Sequence, residues 1–265
     1  MTTPDGPEPQ HTFPQPLMSS FDDVTKIPDD FSGRLRLFPL PDLVVFPHAM
    51  QPLHIFEPRY CEMLDDAMAT DKLIGIATLI GGSSGGPKSP PAIHPMVCIG
   101  KVVSHAETES GTYNILLIGA RRARVIRELK TDQPFRVAEI ELLPEFAPPP
   151  DSPTAIRLKS EVLDAFASAI PGSAAVQQNL HELMASQMGL GPITDIIAFT
   201  LPLGTSAKLK LLEQNDVAQR AILLAELLRR FSKPTSGPSQ HPSGAANSPP
   251  TTPSRPEFPP PFSLN

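Results

Sequence analysis

The sequence predicts an α+β protein, with its strands first and its helices second. Two observations carry this. From about residue 33 to 147 the apolar residues alternate or come in short bursts, which is strand patterning. From Ser152 onward they recur at helical spacing instead. A run of strands followed by a run of helices argues against alternating βα units. A third observation sets the limits. There are 34 prolines in 265 residues, more than twice the usual share. Six lie in residues 1–30 and ten in 232–265. The expected organisation is a disordered tail over 1–32, a strand-rich part over 33–147, a helical part over 148–231, and a disordered Pro-rich tail over 232–265. That last segment carries only Lys233, Arg255 and Glu257 as charges, and it cannot bury enough surface to offset chain entropy.

The elements follow in order. Leu35 and Leu37 alternate with Arg34 and Arg36, a strand signature. Leu43–Phe46 and Leu53–Phe56 are short apolar runs bounded by prolines and read as strands. Glu57 to Thr70 reads as a helix, with Pro58 in its first turn and Tyr60, Leu64, Ala67 and Met68 on one face. Leu73 to Ile80 reads as a buried strand, followed by a Gly/Ser/Pro loop from Gly81 to Pro95. Val97–Glu107 and Thr112–Ile126 read as long strands joined by a turn at Ser110-Gly111, and Phe135–Leu143 as another. After Pro148-Pro149-Pro150, Ser152 caps a helix with Pro153 at its first position. Its expected buried face is Ile156, Leu163, Phe166 and Ile170. Val176, Leu180, Leu183 and Met184 mark a second helix, ended by Gly189. Ile193, Ile196 and Ile197 mark a third, ended by Pro202, and Ala207–Gln214 a fourth. Asp216 caps the last, with Gln219 as capping-box partner. Val217, Ala221, Leu224, Leu228 and Phe231 form its expected apolar stripe.

Composition narrows the function. The longest strongly apolar stretch is Leu73–Ile80, far below a membrane span. No secretory signal opens the chain. One possible pair of cysteines, Cys61 and Cys98, cannot make a disulfide scaffold, so a cytoplasmic setting is expected. A net charge of −6 gives no pull toward nucleic acid.

The motifs that suggest chemistry fail on inspection. Gly81 to Ser89 nearly spells a phosphate-binding loop. But Pro87 breaks the register and removes a backbone donor, and Pro90-Pro91 follows in place of a helix. No histidine pair has zinc spacing; His48 and His54 could meet in space, but a turn histidine and a half-buried strand histidine are the favoured readings. Cys61 lies near a helix start but beside Glu62, Asp65 and Asp66, which raise its pKa. No serine elbow or serine-lysine arrangement is present. Arg121, Arg122, Arg124 and Arg127 form the one basic cluster. They are expected on a solvated strand face, with Arg122 and Arg124 opposite Ala123 and Val125. No catalytic, cofactor or metal residue is therefore assigned.

One stretch is familiar. LRLFPLPDLVVFPHAMQPLHIFEPRY (Leu35–Tyr60) resembles the start of the N-terminal domain of Lon-type ATP-dependent proteases, and most closely the stand-alone bacterial proteins that carry only this domain. GTYNILLIGARRARVIREL (Gly111–Leu129) and LPLGTSAKLKLLEQNDVAQRAILLAELL (Leu201–Leu228) continue the resemblance. It implies a PUA-like β-barrel subdomain with one helix, followed by an α-helical bundle. It also implies substrate recognition without catalysis, the ATPase and peptidase domains being absent. The expected function is a non-catalytic protein-binding domain, an adaptor or proteolysis accessory. Its partners would be unfolded or tagged clients, or a protease, and neither a membrane nor nucleic acid. Peptide would lie on an exposed sheet edge or an apolar groove, with Phe46, Phe56 and Tyr60 as contact candidates. Glu57 and Arg59, two apart at a helix start, are not expected to face each other. A stand-alone hydrolase and an RNA-binding PUA-like module are the alternatives.

Overall fold

The structure is a computed structural model and describes residues 25–81, 90–169 and 188–231. All of these lie in one compact unit. The second predicted helix, the middle of the Gly81–Pro95 loop, most of the N-terminal tail and the Pro-rich C-terminal tail lie outside the described residues.

Six strands are described: β1 (Arg34–Leu40), β2 (Met50–Ile55), β3 (Leu73–Leu79), β4 (Ile93–Glu107), β5 (Tyr113–Leu129) and β6 (Arg136–Leu142). Five helices are described: α1 (Pro58–Met68), α2 (Pro153–Ala169), α3 (Leu190–Thr200), α4 (Thr205–Glu213) and α5 (Val217–Phe231). The fold is α+β. The sheet is mixed, ordered β2-β5-β4-β3-β1-β6, with β1 and β3 parallel. A further β5–β6 pairing returns the ladder on itself. Five strands thus form a closed circuit, and β2 hangs from β5 outside it.

Two apolar clusters follow from this topology. One takes Leu35, Leu37, Leu73, Val97, Ala123 and Ile140, among others, from every strand of the circuit and none from β2. These side chains face inward. Ile27 and Phe31 pack against the same cluster, so the packed body begins before residue 33 and the predicted 1–32 tail is too long. Two apolar side chains there find a surface to cover, which composition does not reveal. The other cluster covers the outer face of the circuit with α1 and the later helices, running from Phe38 to Leu228. One core therefore joins the strand-rich and helical parts.

Leu43–Phe46 differs from prediction. It forms no strand, yet Val44, Val45 and Phe46 are buried. Its apolar run packs a loop, a case that periodicity cannot separate from a short strand. In α1, Pro58 stands at the first position and Glu57 at the N-cap, with extended backbone. Tyr60, Met63, Leu64 and Ala67 are buried. Burying a side chain such as Leu64 contributes about 1.5–3 kcal/mol. Because Glu57 is outside the helix, the helical spacing argument does not hold for it. Arg59 donates to Glu57 Oε2 through Nε at 3.0 Å and Nη2 at 2.7 Å.

The helical half follows its capping signals. Ser152 Oγ accepts the Ala155 N–H at 3.2 Å at the start of α2. The buried face of α2 is Ala155, Leu158, Val162, Leu163, Ala165 and Phe166, whereas Ile156 is exposed. Gly189 stands at the N-cap of α3, with extended backbone; the helix it was expected to end lies outside the described residues. Asp216 Oδ1 accepts the Gln219 N–H at 3.0 Å. The return bond comes from elsewhere, the Asp216 N–H donating to Gln214 Oε1 at 3.2 Å. Asp216→Ala is expected to lower stability by about 1 kcal/mol, read as a shift in urea midpoint at unchanged slope. Val217, Ala221, Leu224 and Leu228 are buried on α5, but Phe231 at its end is half exposed.

Candidate functional site

A buried ion cluster ties the strands to the helices. Arg122 on β5 is 3% exposed, and Asp195 on α3 and Arg220 on α5 are fully buried. Arg122 donates from Nη1 to Asp195 Oδ2 at 3.0 Å, from Nη2 to Asp195 Oδ1, from Nη1 to Glu145 Oε2 at 3.1 Å and from Nε to the Leu212 carbonyl at 3.0 Å. Arg220 donates to Glu145 Oε2 at 2.9 Å, the Thr194 hydroxyl at 3.0 Å and the Gln214 carbonyl at 2.9 Å. Its Nε lies 3.3 Å from Asp195 Oδ1. Burial pushes the Asp195 carboxyl up. The two guanidiniums outweigh it and hold the group at about 2.

This placement corrects the expectation of a solvated arginine cluster. Arg122 does point away from Ala123 and Val125, but the helices roof that face. A register shift near Ala120 makes this so. Before it, Ile115 and Leu117 face the outer cluster; after it, Ala123 faces inward and Arg122 outward. One bulged residue reverses the parity of a strand. Arg124 and Arg127 are exposed, and Arg127 pairs with Glu139.

His48 reaches the same cluster. Its Nδ1 lies 3.6 Å from Asp195 Oδ2. Its backbone is left-handed at φ 65°, uncommon for a side chain other than glycine. The His48 N–H donates to the Gly119 carbonyl, and the Gly119 N–H to the Ala49 carbonyl, both at 2.8 Å. A Cβ at position 119 would overlap the Phe46 carbonyl oxygen, so only glycine lets this loop lie on β5. His54 does not join it. Its Nδ1 meets Asn114 Oδ1 at 2.9 Å, and its ring stacks on Phe56 at 6.0 Å.

The three predicted contact residues separate. Phe46 is fully buried. Tyr60 is 7% exposed, with Phe38 at 4.6 Å on one side and the Arg59 guanidinium 4.6 Å over its ring. Core packing claims both. Phe56 is 64% exposed. It extends a row of exposed side chains along β2: Met50, Pro52 and His54. Among the described residues β2 pairs with β5 alone, and its other edge carries no strand there. Ala49 turns its carbonyl to β5. By alternation Met50, Pro52 and His54 present their backbone to that other edge. Pro52 costs no ladder bond there.

Reactive groups are scarce. Burial pushes the Cys98 thiol up, and burial with Asp65 does the same for Cys61. Among the described residues no three His, Cys, Asp or Glu gather as a metal site, and no helix is long and apolar enough to cross a membrane.

Comparison with known proteins decides the family. The profile of the ATP-dependent protease La (LON) substrate-binding domain matches residues 34–230. The chain belongs to the Lon substrate-binding domain family. The Lon protease of Rhizobium meliloti (strain 1021) is 28% identical over 190 residues, covering 71% of this chain and 23% of that protease. The Lon protease of Heliobacterium modesticaldum is 26% identical, covering 74% and 24%. The chain thus spans about a quarter of the length of these curated relatives. Two solved structures share the Lon domain fold. A Lon N-terminal domain protein from Xanthomonas campestris has a TM-score of 0.53 at 24% identity, covering 74% of this chain and 96% of that one. The N-terminal domain of a Mycobacterium avium complex Lon protease has a TM-score of 0.58 at 16% identity, covering 74% and 97%. The ion cluster was missed in the sequence because its members lie at 122, 145, 195 and 220. The single available signal was the pair Thr194-Asp195 inside an otherwise apolar helix.

Proposed function

We propose that this Lon-family chain is a non-catalytic protein-binding module, an adaptor or proteolysis accessory, that holds extended segments of unfolded or tagged polypeptide along β2. The observation that carries this is the edge of β2 that no described strand pairs with, together with its exposed row Met50, Pro52, His54 and Phe56. An added strand would gain main-chain hydrogen bonds from the edge, while Met50 and Phe56 would supply apolar contact. The family, a substrate-binding domain of Lon proteases, supports the same reading. We also read the closed strand circuit as a PUA-like barrel, residues 148–231 as a helical bundle, and the setting as cytoplasmic. The RNA reading loses ground because Arg122 is committed to Asp195 and Glu145.

Anisotropy with a labelled unfolded-casein peptide and the full chain tests the proposal. Phe56→Asp is expected to weaken binding about tenfold, near 1.4 kcal/mol, at unchanged thermal stability. A folded wild-type chain that binds no unfolded client would sink it. Casein should stay uncut with or without ATP and Mg²⁺.

A further inference from the structure

A cavity of about 660 Å³ opens over the ion cluster, bounded by the Thr25–Asp29 segment, His48, β5 at Ala120–Arg122, the end of β6 and Pro192 of α3. None of its lining residues belongs to the β2 row. Its volume falls in the range of small-ligand pockets, about 300–1,000 Å³. We propose that this cavity binds a carboxylate carried on a short apolar group, the chemistry of an apolar polypeptide C-terminus, with Arg121 and His48 as its anion partners.

The distribution of charge singles out those two groups. Arg122 has its donors committed to Asp195, Glu145 and the Leu212 carbonyl. Glu145 Oε2 accepts from both Arg122 and Arg220, so its charge is balanced. Lys26 pairs with Asp29 at 3.3 Å. Arg121 lines the cavity, is exposed, and has no ion-pair partner among the described residues. Its planar fork suits a carboxylate. His48 keeps Nδ1 toward Asp195, which leaves Nε2 without a protein partner among the described residues. Its left-handed backbone is a local strain of the kind that clusters at ligand clamps. Ile27, Pro28, Pro47, Leu142 and Leu143 supply apolar walls. A bare anion would leave those walls in water, and a bare apolar group would leave Arg121 without a partner. A carboxylate on an apolar residue meets both demands. No Phe, Tyr or Trp among the described residues lines the cavity to stack a base.

The test uses the full chain and a fluorescein-labelled decapeptide ending in Ala-Leu with a free carboxylate, beside the same peptide as its C-terminal amide. The acid is expected to bind at least tenfold tighter than the amide. Arg121→Ala should abolish that preference and Arg121→Lys restore part of it; the side chain is exposed, so the fold should persist. Competition by 4-methylpentanoate separates the sources. Displacement at concentrations matching the peptide's supports a free small acid as the ligand; displacement by the peptide alone supports a chain end. Phe56→Ala should leave the acid preference intact, which keeps this site distinct from the β2 reading. Equal binding of acid and amide, a preference that survives Arg121→Ala, or one lost in Phe56→Ala would overturn the proposal.

Discussion

Asp195→Ala is expected to cost about 3–5 kcal/mol of folding stability, a large part of what a domain this size has to lose. The substitution leaves Arg122 and Arg220 buried with one shared carboxylate, Glu145, between them. Removing one member of a buried ion network leaves an uncompensated charge, and that costs more than the network contributes over an apolar replacement. Urea denaturation followed by circular dichroism reads the loss. A change below about 1 kcal/mol would mean that water reaches the cluster and screens it. The same carboxylate makes stability depend on pH. Its folded value of about 2 lies below the usual carboxylate range near 3.9. Its contribution is therefore complete above about pH 4 and is lost as pH falls toward 2. The Asp195→Ala chain should lack that part of the acid transition.

Gly119→Ala is expected to destabilise the fold by about 1–3 kcal/mol, or more if the loop cannot yield. The new methyl would overlap the Phe46 carbonyl, which is backbone and cannot rotate away. Relief requires the Phe46–His48 loop to lift from β5, breaking the two 2.8 Å bonds that seat it. Phe46 would leave the core, and His48 would leave Asp195 and the cavity. Thermal melting and the acid-over-amide preference of the peptide assay should therefore fall together. A stable variant with unchanged preference would show that the loop is not held as described. Gly111→Ala serves as a comparison. That glycine is left-handed at φ 72° with open space around it, so its cost is conformational strain alone.

Much of the architecture was legible because local rules governed it. Ser152-Pro153 and Asp216 sit where capping chemistry places them. The long strands β4 and β5 and the turn at Gly111 follow from alternation and a glycine. The candidate site was legible only in part. Phe56, Phe46 and Tyr60 are the same kind of residue in similar proline-flanked surroundings, yet one is exposed and two are buried. Nothing local separates them, because burial depends on which distant element arrives to cover a side chain. Arg122 makes the same point. Its direction relative to Ala123 was readable from the pleat. That α3 and α5 would close over it, bringing Asp195, was not.

What the sequence determined by itself is the order of elements, their caps and turns, and the family. These depend on neighbours within a few residues, or on the pattern as a whole. What only the tertiary structure decided is which polar groups are sealed in and which are left in water. A bulge near Ala120 sets the parity of β5. The helices then turn Arg122 into a buried partner of Asp195 and leave Arg121 at the cavity without an ion-pair partner among the described residues. The two arginines are adjacent and chemically identical. Their difference comes from long-range packing, because the free energy of a charge depends on its surroundings in space rather than along the chain.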